Sequence, residues 1–146
     1  PPGAGKIAEA IACGFDVLTS YNDHESGFET GQVSIPIEKL TASTEKIWEQ
    51  FKNASLPYIP AVTLGWDHRP WDGNTTTPYY TGYSESSVFN SIRSVSDWLN
   101  KNPDKTPGLP LTILYSWNEY GEGAWLTPSE LMKDSLLQGV KRALRN

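Results

Sequence analysis

Segments typical of helices and of β-strands alternate along this chain, and the alternation limits the folds that it can adopt. The predicted order is helix, strand, helix, strand, helix, strand, helix, with no repeat in residue identity. Strands that alternate with helices favour a parallel sheet, because each helix carries the chain back to the edge where the next strand begins. At 146 residues the chain is long enough for a single α/β domain spanning 1–146 with a hydrophobic core of its own.

The individual elements follow from the spacing of apolar residues and from the residues that end each run. Strands are predicted over residues 15–21, 58–64 and 111–115, and helices over 6–13, 41–54, 86–100 and from 128 onward. Gly14 is suited to end the first helix in a left-handed conformation. The segment Thr127-Pro128-Ser129-Glu130 is typical of a capping box, so Glu130 is predicted to cap the last helix. The core face of that helix is predicted to comprise Met132, Leu136, Val140, Ala143 and Leu144.

A cluster of polar and aromatic residues follows each predicted strand. The three clusters cover residues 21–24, 65–71 and 118–122. In parallel α/β folds the carboxyl ends of the strands lie along one edge, and binding sites form there. We therefore expect the three clusters to converge on one pocket.

The third cluster carries the clearest chemistry, within the sequence LTILYSWNEYGEGAW at residues 111–125. Glu119 and Glu122 lie there among aromatic rings, and the glycines between them permit tight backbone turns. Carboxylates can give and take protons at a glycosidic bond, and aromatic rings can stack on the apolar faces of sugars. The sequence therefore predicts a carbohydrate-active site with Glu119 and Glu122 as the catalytic pair.

Seven further residues are candidates for substrate binding. They are Tyr21, Trp66, Asp67, Trp71, Asn118, Tyr120 and Trp125. Asp67 could hydrogen-bond the substrate or form a turn, and the tryptophans could be sugar platforms or pack beneath the loop. Asn118 could bind a sugar hydroxyl or orient Glu119. The neighbouring His68 and Arg69 are interpreted as residues that brace the loop.

Composition and motifs exclude several classes of function. The net charge of −5 and the pI of about 5.0 give no basic patch for nucleic acid, and no apolar run is long enough for a membrane span. No HExxH or closely spaced His pair indicates a metal, no GxGxxG indicates a dinucleotide, and no cofactor is expected. Cys13, the single cysteine, cannot form an intrachain disulfide and is expected to be buried. The compartment is not determined, although a secreted or periplasmic location is favoured for the parent protein.

Two segments, GWDHRPW at 65–71 and WNEYGEGAWLTP at 117–128, resemble the C-terminal part of the family-99-like glycoside hydrolases. That group includes WbsX-type proteins described as glycosyltransferases of polysaccharide clusters. The resemblance implies a (β/α)8 TIM barrel, of which this chain would hold about the last three strand–helix units preceded by a helix. Tyr120 stands where the family usually has tryptophan, a change that keeps a ring and adds a hydroxyl.

The resemblance also implies roles for the two glutamates. Glu119 would assist the attack of the substrate 2-hydroxyl on the anomeric carbon. Glu122 would protonate the leaving oxygen as general acid and then act as the base for water. Family membership implies this assignment, whereas the spacing only allows both acids to face one cavity.

Three classes of function remain open at this stage. They are a glycoside hydrolase of a polysaccharide or glycan, a WbsX-type glycosyltransferase in polysaccharide biosynthesis, and a non-catalytic sugar-binding domain.

If the chain is the C-terminal part of a larger TIM-barrel catalytic domain, its sheet edges would be unpaired. We then expect either self-association through those edges or lower stability than a whole barrel, and little or no activity from this part alone.

Overall fold

Short parallel strands flanked by helices make up the fold, as seen in a computed structural model that describes residues 4–73 and 76–145. The strands are β1 Leu18–Thr19, β2 Ser34–Pro36, β3 Tyr58–Ile59, β4 Ala61–Thr63, β5 Tyr79–Thr81, β6 Ile113–Tyr115, β7 Asn118–Glu119 and β8 Ala124–Trp125. The helices are α1 Ala4–Ala12, α2 Ile37–Phe51, α3 Arg69–Asp72, α4 Glu85–Lys101 and α5 Ser135–Ala143. Short 3-10 turns cover His24–Gly27, Pro103–Lys105 and Tyr120–Glu122.

The predicted parallel pairing is confirmed. Strand β1 pairs with β3, with Leu18 opposite Tyr58, and β4 pairs with β6, with Val62 opposite Leu114. Only Pro60 separates β3 from β4, so β1 and β6 pair with successive parts of the same chain segment. Two pairs were not predicted: β2 with β5, which is parallel, and the antiparallel hairpin of β7 with β8. The described residues form a mixed α/β fold with parallel strand pairs and do not form a closed barrel.

Helices α2 and α4 cover the strands with their apolar faces. The main core contains Ile47, Trp48, Phe51, Tyr58, Val62, Val88, Ile92, Val95 and Trp98, with further residues from the strands and α5. The Trp48 indole N–H donates a hydrogen bond of 3.0 Å to the carbonyl of Ala61, which joins α2 to β4. Gly139 of α5 lies so close to the Glu85 carbonyl, at the start of α4, that a Cβ would be 2.5 Å from its oxygen. A small residue is therefore required where α4 and α5 cross.

The predicted start of the last helix is wrong, because α5 begins at Ser135. The expected N-cap hydroxyl of Thr127 is hydrogen-bonded to the hydroxyl of Tyr120, and the Thr127 amide donates to the carbonyl of Trp117. Both groups are thus engaged by the preceding hairpin. Residues 129–133 form a turn closed by hydrogen bonds in both directions between Ser129 and Lys133. Glu130 is exposed on this turn and does not cap α5.

Other local expectations are also corrected by the packing. Leu144 is 67% exposed, because α5 ends at Ala143, whereas Met132, Leu136, Val140 and Ala143 contact the main core. Cys13 is exposed, since it follows the end of α1, whose core contacts among the described side chains are made by Ile7 and Ala10. The strands are also shorter than predicted, and proline, which has no N–H for the ladder, interrupts the second of them at Pro60.

Candidate active site

The hairpin that carries both candidate glutamates is held tightly by its own backbone and by Ser116. The Ser116 hydroxyl donates to the carbonyl of Ala124 at 2.5 Å and accepts from the amide of Glu119 at 3.1 Å. The following 3-10 turn, Tyr120–Glu122, ends at Gly123, which has a φ of +64°. This turn lies against the loop after β4, because the amide of Asp67 donates to the carbonyl of Glu122 at 2.7 Å.

Glu122 lies where the ends of three strands meet. Its half-buried carboxylate accepts a hydrogen bond from the hydroxyl of Tyr115, the last residue of β6. The ring of Tyr115 packs edge-on against the ring of Tyr21, beyond the end of β1, with 5.0 Å between centroids. Burial and the neighbouring Glu122 carboxylate raise the pKa of Tyr115. The three polar clusters therefore come together at the carboxyl ends of β1, β4 and β6.

Glu119 has a different environment. It is exposed on β7, and its carboxylate makes no hydrogen bond or ion pair with any residue that the structure describes. Asn118 is also exposed, and it pairs with Trp125 of β8 in the antiparallel hairpin. The two carboxylates of the predicted pair thus lie on one hairpin, one anchored by a phenol and the other open to solvent.

His24 belongs to this site, although it was not among the predicted site residues. Its ring stacks on Trp66 with centroids 3.6 Å apart and planes 18° apart, and its Nδ1 lies 2.7 Å from Oδ1 of Asn22. Burial lowers the pKa of His24, against the opposing effect of Glu25 and Glu122. The imidazole is therefore predominantly neutral near pH 7. A cavity of about 370 Å³ adjoins it, lined by Asn22, Asp23, His24, Glu25, Ser26 and Ile47.

The aromatic residues of the site divide into accessible and packed rings. Tyr21, Trp71, Trp117 and Tyr120 are 72%, 73%, 57% and 51% exposed. Trp66, by contrast, has one face covered by His24. Trp125 is half-buried, and the centroid of its ring lies 5.3 Å from that of Tyr83. Trp117 was not among the predicted binding residues, although its position next to Asn118 and Glu119 in the sequence was a signal that could have identified it.

Asp67 is engaged by Arg69 within the loop after β4. The Arg69 Nε and Nη2 atoms donate to the two carboxylate oxygens of Asp67 at 2.8 and 2.6 Å. The guanidinium carbon of Arg69 also lies 3.3 Å from the centroid of the Tyr79 ring. Hydrogen bonding from Arg69 lowers the pKa of Asp67. In this conformation the Asp67 carboxylate braces the loop that holds the Glu122 turn.

This ion pair predicts a pH-dependent loss of stability. Because the pKa of Asp67 is lower in the folded state, the pair stabilises the fold above the ordinary carboxyl pKa of about 3.9, and this contribution disappears as pH falls through the lowered value. In urea denaturation at pH 7, Asp67→Asn should therefore unfold at a lower midpoint than wild type, and the difference should narrow below pH 3. Asp16→Asn, at an exposed position without an ion pair to the described residues, is the control. A difference between Asp67→Asn and wild type that is the same at pH 7 and pH 2 would contradict this assignment.

Within residues 4–73 and 76–145 no group of three or more His, Cys, Asp or Glu side chains is arranged to hold a metal ion. In the same part of the chain, no helix has the length and apolar character needed to span a bilayer.

The fold and this site define an α/β protein in which carboxylates, a histidine and aromatic rings meet at the carboxyl ends of parallel strands. A family model described as glycosyltransferase WbsX matches residues 13–140. The chain therefore belongs to the WbsX family, a family of carbohydrate-active enzymes, and the WbsX-type resemblance of its sequence is confirmed. Searches of curated proteins and of solved structures find no match to it.

Proposed function

We propose that this chain provides the catalytic carboxylates of a glycoside hydrolase that cleaves a polysaccharide or glycan. The observation that carries the proposal is the half-buried Glu122 carboxylate, held by the Tyr115 hydroxyl at a strand-end surface with exposed aromatic rings. A fixed carboxylate beside ring surfaces suits proton transfer at a bond between sugars. Membership of a carbohydrate-active family supports a glycan as the substrate.

In the proposed mechanism, Glu119 accepts the proton of the substrate 2-hydroxyl as that oxygen attacks the anomeric carbon. Glu122 donates a proton to the leaving glycosidic oxygen, so that the old bond breaks as the new C–O bond forms. In the second half, Glu122 takes a proton from water as the water oxygen attacks the anomeric carbon. The bond between that carbon and the 2-oxygen breaks, and Glu119 returns its proton to the 2-oxygen. The placement of both carboxylates on one hairpin supports their action at one site, and the family resemblance implies the division of roles between them.

The substrate-binding residues have two proposed modes of action. Tyr21, Trp71 and Tyr120, with their exposed rings, are proposed to stack on sugar faces, and the exposed Asn118 to hydrogen-bond a sugar hydroxyl. Trp66 contacts His24, Asp67 contacts Arg69, and Trp125 contacts Tyr83. Held by these contacts, the three residues are proposed to complete the binding surface. We further propose that the parallel segments belong to a (β/α)8 barrel whose catalytic domain extends beyond 1–146.

A second candidate is glycosyl transfer, which the description of the matching family favours. The same acid and base would then deliver the sugar to an acceptor hydroxyl instead of water. A non-catalytic sugar-binding domain is the third reading, in which the exposed rings matter and the carboxylates do not.

Product analysis of the full-length protein separates these three functions. The protein would be incubated with α-mannan and a panel of polysaccharides, with and without oligosaccharide acceptors and an activated sugar donor. Products would be analysed by mass spectrometry, and glycan binding would be measured by isothermal titration. We expect new reducing ends in water alone. Products that appear only with an acceptor and an activated donor would favour transfer. Glycan binding with no covalent product under either condition would overturn both enzymatic proposals.

A further inference from the structure

Tyr115 was not among the predicted site residues, yet its hydroxyl contacts the Glu122 carboxylate. It is 4% exposed, and its ring is fixed by the edge-on contact with Tyr21 at 5.0 Å. Its backbone belongs to β6, where it pairs with Thr63 of β4. The hydroxyl therefore has a defined position at the end of the strand, and it donates to Oε2 of Glu122.

Among the described residues, the Tyr115 hydroxyl is the group that hydrogen-bonds the Glu122 carboxylate. Its backbone is held by the hydrogen bond from the Asp67 amide and by the turn that ends at Gly123. Among the described residues, no other hydrogen bond or ion pair reaches its carboxylate. One oxygen thus accepts from the phenol, and the other has no hydrogen-bond partner among the described residues. Glu119 has no corresponding partner among the described side chains, so the two carboxylates differ in how their orientation is restricted.

We propose that Tyr115 is a positioning residue that orients the Glu122 carboxylate for proton transfer. The proposal rests on the glycan-cleaving function above. A glutamate side chain has several rotatable bonds, and a hydrogen bond to one of its oxygens selects the rotamer that faces the substrate. Misplacement of a catalytic group by about 1 Å can cost about 100-fold in rate. Tyr115 itself does not touch the reacting atoms in this scheme, because it acts through Glu122.

The test compares Tyr115→Phe with wild type and with Tyr58→Phe. Tyr115→Phe keeps the buried ring and removes the hydroxyl, so we expect kcat to fall about 10- to 100-fold with KM and glycan Kd within about twofold of wild type. Tyr58 is a fully buried tyrosine of β3, and its ring stacks on that of Phe51 with 4.2 Å between centroids. Tyr58→Phe therefore controls for the loss of a buried hydroxyl. Thermal unfolding of all three proteins would show whether a change in kcat reflects loss of folded protein.

The outcomes separate this proposal from the proposed function. If wild type cleaves glycans and Tyr115→Phe keeps its kcat, the positioning role is wrong and the function stands. If KM rises as kcat is maintained, Tyr115 contributes to substrate binding and the proposal is again wrong. If wild type itself forms no product from any glycan, the proposed function fails, and the role of Tyr115 in it fails too.

Discussion

Replacement of Glu122 by glutamine is expected to lower kcat/KM for glycan cleavage by about 100- to 10,000-fold, the range that positioned acid–base groups contribute. Glutamine has nearly the same shape and can still accept the hydrogen bond from Tyr115, so the site should remain folded. It cannot donate a proton to the leaving oxygen or accept one from water, and the chemical step should fail. Initial rates of reducing-end formation, together with isothermal titration of a glycan ligand, would measure both effects.

Glu119→Gln should cause a loss of similar size if Glu119 activates the 2-hydroxyl as proposed. Glu130→Gln is the matched control, because Glu130 is exposed on the turn between Ser129 and Lys133 and carries the same charge. We expect the control to keep wild-type activity. Wild-type turnover by Glu122→Gln, with product formation verified, would remove the central residue of the proposed mechanism.

Gly123→Ala is expected to lower the free energy of unfolding by about 2–5 kcal/mol. The residue has a φ of +64°, and a left-handed backbone costs a residue with a Cβ about 1–2 kcal/mol. In addition, a Cβ at this position would lie 2.7 Å from the amide nitrogen and Cβ of Asp67, an overlap of the kind that costs about 1–3 kcal/mol. Relief of this overlap would separate the Glu122 turn from the loop after β4, so activity should fall as well.

Gly73→Ala separates the two contributions. Gly73 has a φ of +66° and also ends a single helical turn, but no described atom lies within 4 Å of a Cβ built there. It should therefore lose only about 1–2 kcal/mol, the cost of the backbone conformation. Chemical denaturation of both variants would measure the difference, and equal losses would mean that the contact with Asp67 does not constrain the turn.

The ends of a helix could be predicted from the sequence where neighbouring residues determine them. Helix α4 was predicted within one residue at each end, because its apolar residues recur at helical spacing and Asn102-Pro103 follows it. Gly14 adopts a φ of +82° as expected for a residue that ends a helix. The start of α5 was wrong for a non-local reason, since the Thr127 hydroxyl is bonded to Tyr120 of the hairpin instead of capping the helix.

The sequence alone determined the parallel α/β class, the clustering of polar residues after strands, and the choice of Glu119 and Glu122 as candidates. Each of these depends on residue type and on the order and spacing of residues along the chain. Only the tertiary structure decided the partners, because they come from distant segments: Tyr21 against Tyr115, His24 against Trp66, and the Asp67 loop against Gly123. A side chain's burial and hydrogen bonds depend on which other segments pack against it in the fold. Residue spacing could therefore identify Glu122 as a candidate but could not identify Tyr115 as its hydrogen-bond partner.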